Sequence, residues 1–207
     1  MGFTVGPSIV SSGLVLALDA GDKLSYSGNG QGTSTWYDLS GNNKHFTVTI
    51  EALATAWNSA GYFELNDSRT FTCNTAVSNA TACTAVFWLR TTDDKALFVQ
   101  GDAANLFEFV AAYQGDYLSG ALYSNLSGTP TYSIDLTTAV YPNRDGNWHM
   151  WEFKNIDMSG YQRFHFNNYA NYTFGNGALA SILVYNRNLT TAESAQNYNA
   201  MRRRFNI

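Results

Sequence analysis

Five glutamates, Glu51, Glu64, Glu108, Glu152 and Glu193, are the first residues to weigh for acid–base chemistry. Cleaving a glycosidic bond with two carboxylates requires them close together, one as nucleophile or base and one as acid. Alternate residues of a strand share a face and meet that need. None of the five has an acidic residue two positions away. The pairs Asp19/Asp22 and Asp93/Asp94 have other spacings and fall in turn-forming sequence. The three histidines, His45, His149 and His165, are far apart and form no HxH or HExxH arrangement. His149 follows Trp148 in a strand-like run, where a structural hydrogen bond is its expected role. No GxSxG elbow, P-loop or dinucleotide fingerprint occurs, and nothing nominates a Ser-His-Asp set. No catalytic residue is assigned on these grounds, and the chain reads as no enzyme.

Cys73 and Cys83 are too few for a zinc site and form no CxxC. They flank a Thr/Asn-rich turn, so a hairpin disulfide is geometrically possible. A chain made in a reducing cytoplasm keeps such residues as small buried thiols, the expectation here. Trp36 and Tyr37 could stack on a sugar ring, as glycan-binding candidates. The competing role is to plug the edge of a core, since large aromatics are chiefly core material.

The elements that would position these residues are mostly strands. Apolar or alternating runs occur at Gly13–Asp19, Tyr62–Leu65, Ala85–Arg90, Ala96–Gln100, Leu106–Tyr113, Trp148–Lys154, Tyr161–Phe166 and Leu179–Tyr185. In Leu106–Tyr113, Phe107, Phe109, Ala111 and Tyr113 share a face opposite Glu108. Ala85–Leu89 is apolar on both faces, as a central strand covered by two layers would be. Turn signals at 114–116, 127–130, 145–146 and 159–160 separate the runs. Many short strands at this spacing predict an antiparallel sandwich. Near the end, Thr190-Thr191-Ala192-Glu193 has capping-box order, and Ala195, Tyr198, Met201 and Phe205 follow as one apolar stripe. A short amphipathic helix is expected there.

Composition narrows the function classes. The 207 residues are 45% hydrophobic and 15% aromatic, ample for one large core, so one domain is expected. Charged residues make up only 14%, with a net charge of −4, so no basic field exists to hold nucleic acid. The run Arg202-Arg203-Arg204 reads as positive charge at a helix C-terminus. No segment has the roughly 18 apolar residues of a membrane span. The opening Met1–Gly13 shows no basic leader or apolar core of a secretory signal.

The segment Gly13–Asn42 passes from the apolar run Gly13–Leu18, through Asp19-Ala20-Gly21-Asp22 and a long irregular excursion, to Trp36-Tyr37-Asp38-Leu39-Ser40-Gly41-Asn42. Later come Val86-Phe87-Trp88-Leu89-Arg90 and Gly146-Asn147-Trp148-His149. The chain closes on Val184–Thr190, Glu193 and Gln196–Ala200. Together these resemble the laminin-G-like (concanavalin A-like) domains of bacteriophage virion proteins. The ends match closely; Phe71–Thr84 and Leu126–Asn147 depart. The resemblance implies an all-β antiparallel jelly-roll sandwich with a short C-terminal amphipathic helix. It also implies calcium as the usual metal of the family, with Asp19, Asp22 and Asp38 as candidate ligands. Against this, Asp38 is expected to accept hydrogen bonds from the turn that follows it, and no metal or other cofactor is expected.

The expectation drawn from all of this is a non-enzymatic phage virion protein, a capsid decoration or tail or fibre component. It would be made in the host cytoplasm and act through contacts with other virion proteins or its own copies, not with nucleic acid or membrane. The alternative is a carbohydrate-binding module for host surface glycan. Residues 1–9 form an N-terminal arm before a domain at 10–207. Its Phe3, Val5, Pro7 and Ile9 are the expected docking residues for another subunit.

Overall fold

The computed structural model describes residues 7–28, 32–50, 57–65, 69–92, 98–100, 108–110, 130–138, 145–159, 164–166 and 177–207. Strands in the first half are β1 (Leu14–Asp19), β2 (Gly32–Trp36), β3 (Phe46–Ile50), β4 (Trp57–Asn58), β5 (Tyr62–Leu65), β6 (Arg69–Cys73), β7 (Cys83–Thr91) and β8 (Phe98–Gln100). There follow β9 (Glu108–Val110), β10 (Thr131–Ile134), β11 (Thr137–Thr138), β12 (His149–Ile156), β13 (Phe164–Phe166) and β14 (Gly177–Tyr185). Helix α1 (Thr191–Met201) runs into a 3-10 turn at Arg202–Phe205.

The strands form two antiparallel sheets. One has eight strands in the order β11-β10-β12-β7-β14-β5-β4, with β1 also on β14. The other has six, in the order β2-β3-β6-β13-β8-β9. Strands β1 and β5 share one edge of β14: Leu14 to Asp19 pair with Tyr185 to Ser181, and Phe63 and Leu65 with Leu179 and Gly177. Between those stretches β14 bulges at Ala180, where the register against β7 shifts. The Ala180 carbonyl accepts the N–H of Ala20 as the chain leaves β1. A bulge re-aims a strand at such a handover.

The central strands are apolar on both faces because both are covered. Leu16, Leu18, Phe87, Leu89, Trp151, Phe153, Ile182 and Val184 face the second sheet and meet Trp36, Phe46, Val48 and Phe71 in one core. On the outer face Val86, Trp88, Met150, Leu183 and Tyr185 lie beneath Tyr198, Met201 and Phe205 of the C-terminal segment. Phe205 stacks on Trp88 at 4.6 Å and meets Trp148 at 4.7 Å. The all-β sandwich with one short helix is as expected.

Helix α1 starts where the capping box placed it. Thr190 Oγ1 accepts the Glu193 N–H, and Glu193 Oε2 accepts the Thr190 N–H at 2.9 Å. Arg187 clamps the same carboxylate with two bonds of 2.6 and 2.9 Å. That clamp, with the Thr190 N–H, holds the Glu193 carboxyl down at about 2. Thr190→Ala is expected to cost about 1 kcal/mol of stability in a urea melt. The residues that the helix buries are polar, Ser194 and Asn197. Asn197 Oδ1 accepts the Val10 N–H at 2.9 Å, and its amide donates to Tyr185 Oη at 3.1 Å.

The N-terminal arm reaches the same outer layer. Ile9 packs on the chain's own outer core, and the Ser8 carbonyl accepts Gln196 Nε2 at 2.8 Å. The described part of the arm thus docks on its own helix. Pro7 remains exposed; Phe3 and Val5 lie outside the described residues. Two differences from expectation concern strands. The irregular excursion contains β2, and Phe71–Cys73 of the Thr/Asn-rich segment belongs to β6. Threonine is β-branched and suits a pleated surface as well as a loop. The arginine run is also more than terminal charge: Arg204 bonds Asp19 and the Gly61 carbonyl. Gly21 and Gly61 carry no side chain where its guanidinium passes.

Candidate functional site

The outer face of the larger sheet is covered by helix only in part. Toward its β11 edge the pairing sets polar residues side by side. Ser133 pairs with Thr138 and with Glu152, and Thr131 pairs with Lys154. Directly opposed residues share a face, so Thr131, Ser133, Thr138, Glu152 and Lys154 form one polar patch. Thr191 and Ser194 of α1 close its other side, leaving a groove of about 290 Å³.

The β10–β11 hairpin shapes that groove through a two-residue turn, Asp135-Leu136, with φ of 47° and 70°. Two positive φ values give the tight twist that hairpins favour, though neither residue is glycine. Asp135 tolerates the position because its carboxylate is tied down. Oδ1 accepts the Met150 N–H at 2.9 Å, and Oδ2 lies 2.5 Å from His149 Nδ1.

Glu152 lies at the groove's floor, only 2% exposed. Lys154 Nζ is 3.2 Å from Oε1, and Ser133 Oγ is 3.4 Å from it. Oε2 is buried and has no hydrogen-bond partner among the described residues. A buried carboxylate oxygen without a donor is costly, and native proteins rarely leave one so. The groove therefore presents the Lys154 ammonium, held by Glu152 Oε1, inside a ring of hydroxyls.

His149 has carboxylates on both ring nitrogens, Asp135 at Nδ1 and Asp145 at 3.0 Å from Nε2. Ionised carboxylates only accept, so this arrangement favours the ring with a proton on each nitrogen. The Asp135 bond raises the His149 pKa above its ordinary value, against the desolvation that opposes it. At Asp145, desolvation, which raises the pKa, is outweighed by the bonds from Asn147 and His149 together, and the carboxyl falls to about 2. A raised histidine pKa gives stability that is complete below the unfolded value near 6.5 and is lost as pH rises through the folded value. Asp145 acts oppositely: its contribution is present above the ordinary 3.8 and is lost as pH falls toward about 2. Wild-type protein is thus expected to lose melting temperature as pH rises above the ordinary histidine value, and His149→Gln to lack that loss. Superimposable pH profiles would remove the imidazolium from this account.

The residues nominated from sequence are placed as follows. Asp38 is 7% exposed and accepts four donors: the N–H groups of Ala17, Ser40 and Lys44 and the Ser40 hydroxyl, at 2.8 to 3.0 Å. Asp22 Oδ1 accepts the Leu24 N–H at 2.8 Å, and Asp19 holds Gly21 N and Arg204. Asp19, Asp22 and Asp38 are not brought together as a ligand set, and among the described residues no group of three His, Cys, Asp or Glu could hold a metal. Trp36 is fully buried, 4.9 Å from Phe63 and 5.8 Å from Phe71 between ring centroids. No sugar can reach it, which corrects its candidacy. Tyr37 is 47% exposed, edge-on to His45 at 5.1 Å. Pro7 and Ile9 line an apolar groove with Leu14, Leu39 and Met201. Cys73 and Cys83 are buried free thiols, and burial pushes the Cys83 thiol up.

Sequence reasoning weighed Glu152 only for acid–base chemistry and missed Lys154 and the hydroxyls around it. The signal was present: Met150-Trp151-Glu152-Phe153 sets one carboxylate among large apolar residues, two positions before a lysine. A charge in such a run must be paired or functional.

No known family profile matches the chain, and no curated protein matches it. Solved structures do. Trypanosoma rangeli sialidase in complex with the inhibitor DANA matches with a TM-score of 0.52 at 10% identity, over 95% of this chain and 35% of that one. A mutant of the same sialidase displaying trans-sialidase activity matches at 0.51 and 13% identity, over 96% of this chain and 34% of the sialidase. The chain spans about a third of the length of these structures. At such identity the likeness is one of fold. It nevertheless corrects two expectations. The expectations of a virion structural protein and of no enzyme are not supported, since the solved structures that match are sialidases. This chain shares the β-sandwich fold found in those sialidase structures.

Proposed function

We propose that this chain binds carbohydrate, using a concanavalin A-like jelly-roll sandwich and the groove between β10, β11, β12 and the first turn of α1. The observation that carries this reading is a groove rimmed by the hydroxyls of Thr131, Ser133, Thr138 and Thr191, with the Lys154 ammonium held over its floor by Glu152. Sugars present many hydroxyls that donate and accept at once. A site for them needs fixed acceptors and donors converging from a rigid frame. Lys154, Ser133, Thr131, Thr138 and Thr191 supply both. Strand and helix positions hold them more firmly than loops would. The size of the groove suits a small ligand of monosaccharide scale, near the lower end of the usual range of ~300–1,000 Å³. The sialidases that share the fold are described with the ligands DANA and 2,3-difluoro-KDN, which places other users of this architecture among carbohydrates.

The test is a glycan array probed with the purified chain, followed by titration calorimetry on any glycan retained. Saturable binding that is lost when the groove is filled, as by Ser133→Phe, supports the reading. Retention of no glycan at all would sink it, and binding unchanged by Ser133→Phe would move the site elsewhere.

A further inference from the structure

Resting on that carbohydrate reading, we propose that His149 is a positioning residue for the groove: its protonated ring fixes the β10–β11 hairpin as one wall, so that glycan is held less tightly as pH rises. Ser133, Leu136 and Thr138 of the hairpin line the groove. Strand β11 is two residues long, ends its sheet and pairs with β10 alone among the described strands. The turn before it has two successive left-handed residues, and the second, Leu136 with φ of 70°, carries a Cβ into a region that disfavours one. Such a turn keeps its form where its surroundings impose it. Here they lie on β12. The Asp135 N–H donates to the Met150 carbonyl at 3.0 Å, and Asp135 Oδ1 accepts the Met150 N–H at 2.9 Å. Oδ2 meets His149 Nδ1 at 2.5 Å, and Nε2 of the same ring meets Asp145 Oδ1 at 3.0 Å. One imidazole thus ties the hairpin turn to the 145–147 loop.

A protonated ring donates to both carboxylates. A neutral ring has one proton for two acceptors, and its bare nitrogen points a lone pair at an ionised oxygen. One tie is then lost, and the other declines from a bond between two ions to one with a neutral donor, which is weaker. The Asp135 tie loses strength in either case. Among the described residues, Asp135 and Asp145 are the charged groups that face the ring. On β12 itself, Glu152 and Lys154 pair with each other. From β7, Leu89 lies opposite His149, and the adjacent Arg90 is paired with Glu64 and laid over the Trp148 ring at 5.5 Å. From the C-terminal segment, Tyr198 and Arg202 lie toward Asp135; burial and then the Asp135 charge push the Tyr198 hydroxyl up, so it keeps its proton while histidine titrates. The Asp135 bond raises the His149 pKa, so the hold on the hairpin is complete below the ordinary 6.5 and is lost as pH rises through the folded value.

Titration calorimetry with the methyl glycoside of the sugar retained on the array, repeated from about pH 6 to about pH 9, reads the effect. Affinity is expected to fall by roughly fivefold or more, the lower end of coupling between linked sites. Proton and ligand must favour each other equally, so saturating glycoside should raise the midpoint of the His149 ring signals in NMR by the same factor. In protein without glycoside, exchange protection of the β10–β11 amides should fall over the same interval. Asp135→Asn removes the main cause of the raised histidine pKa and keeps an acceptor for the Met150 N–H, so it should move the fall in affinity to lower pH. His149→Gln should bind at the weak alkaline level of wild type at every pH, whereas a merely structural role would lower affinity without flattening the profile. Should His149→Gln fail to fold, the wild-type NMR midpoints with and without glycoside decide the matter. Affinity that ignores pH, an equal fall in His149→Gln, an unmoved midpoint or constant hairpin protection each overturns the role of His149 and leaves carbohydrate binding intact. Retention of no glycan overturns both.

Discussion

Trp36→Ala is expected to destabilise the protein by about 3–5 kcal/mol, the range for removing a large aromatic from a packed core. Trp36 closes β2 and is fully buried, with Phe63 of the larger sheet and Phe71 of its own sheet against its ring. It therefore fills space between the two sheets, and neighbours anchored in strands cannot collapse into the gap. The indole Nε1 has no hydrogen-bond partner among the described residues, so no polar bond complicates the reading. Urea unfolding at constant slope gives the loss directly from the shift in midpoint. Trp36→Phe should recover much of it. A variant that loses glycan affinity with its midpoint unmoved would show instead that the ring meets ligand.

The second large effect is expected at Asp38. Asp38→Ala removes both oxygens that receive Ala17, Ser40 and Lys44, leaving donors without partners near the surface of the core. Each buried donor left unmatched costs about 1–3 kcal/mol, so a total near 3 kcal/mol or more is expected. The carboxylate pins the 38–44 turn to the middle of β1, because the Ala17 N–H is one of its donors. The variant should therefore also expose the Leu39–Lys44 backbone to hydrogen exchange. Treatment of wild-type protein with EDTA is expected to leave its melting curve in place, since both Asp38 oxygens are taken by protein donors. A fall with EDTA matching that of Asp38→Ala would assign the carboxylate to a metal.

Much of the fold was legible because periodicity and burial agree in this chain. The runs at Gly13–Asp19, Ala85–Arg90, Trp148–Lys154 and Leu179–Tyr185 became β1, β7, β12 and β14, the middle of the larger sheet. The capping box placed α1 to the residue. Strands β2, β3 and β10 were not read, because GTSTW, FTVTI and TYSI alternate threonine or serine with apolar residues. Composition counts those as loop, while pleat geometry counts them as half-buried strand. The stripe Ala195, Tyr198, Met201, Phe205 gave the covered side of the helix only roughly. Its most buried positions, Ser194 and Asn197, are polar: Ser194 bonds the Thr190 carbonyl one turn back, while Asn197 bonds Val10 and Tyr185, distant in sequence. The groove was hidden for the same reason. Ser133 meets Glu152 across nineteen positions, and only strand register reveals the pair.

The place of β14 in the larger sheet bears on how the chain comes into being. It is the last strand in sequence yet it sits inside the sheet, with β7 on one side and both β1 and β5 on the other. During synthesis β1, β5 and β7 all emerge before the strand that joins them, with the backbone N–H and C=O groups that face it still unpaired. Residues 14 and 185 must then find each other across nearly the whole chain. Contacts of such separation close slowly. A nascent chain halted before residue 177 would present open strand edges of the kind that invite pairing between molecules. Ribosome-bound intermediates of this protein should accordingly stay protease-sensitive until β14 has cleared the exit tunnel, and then become protected in one step.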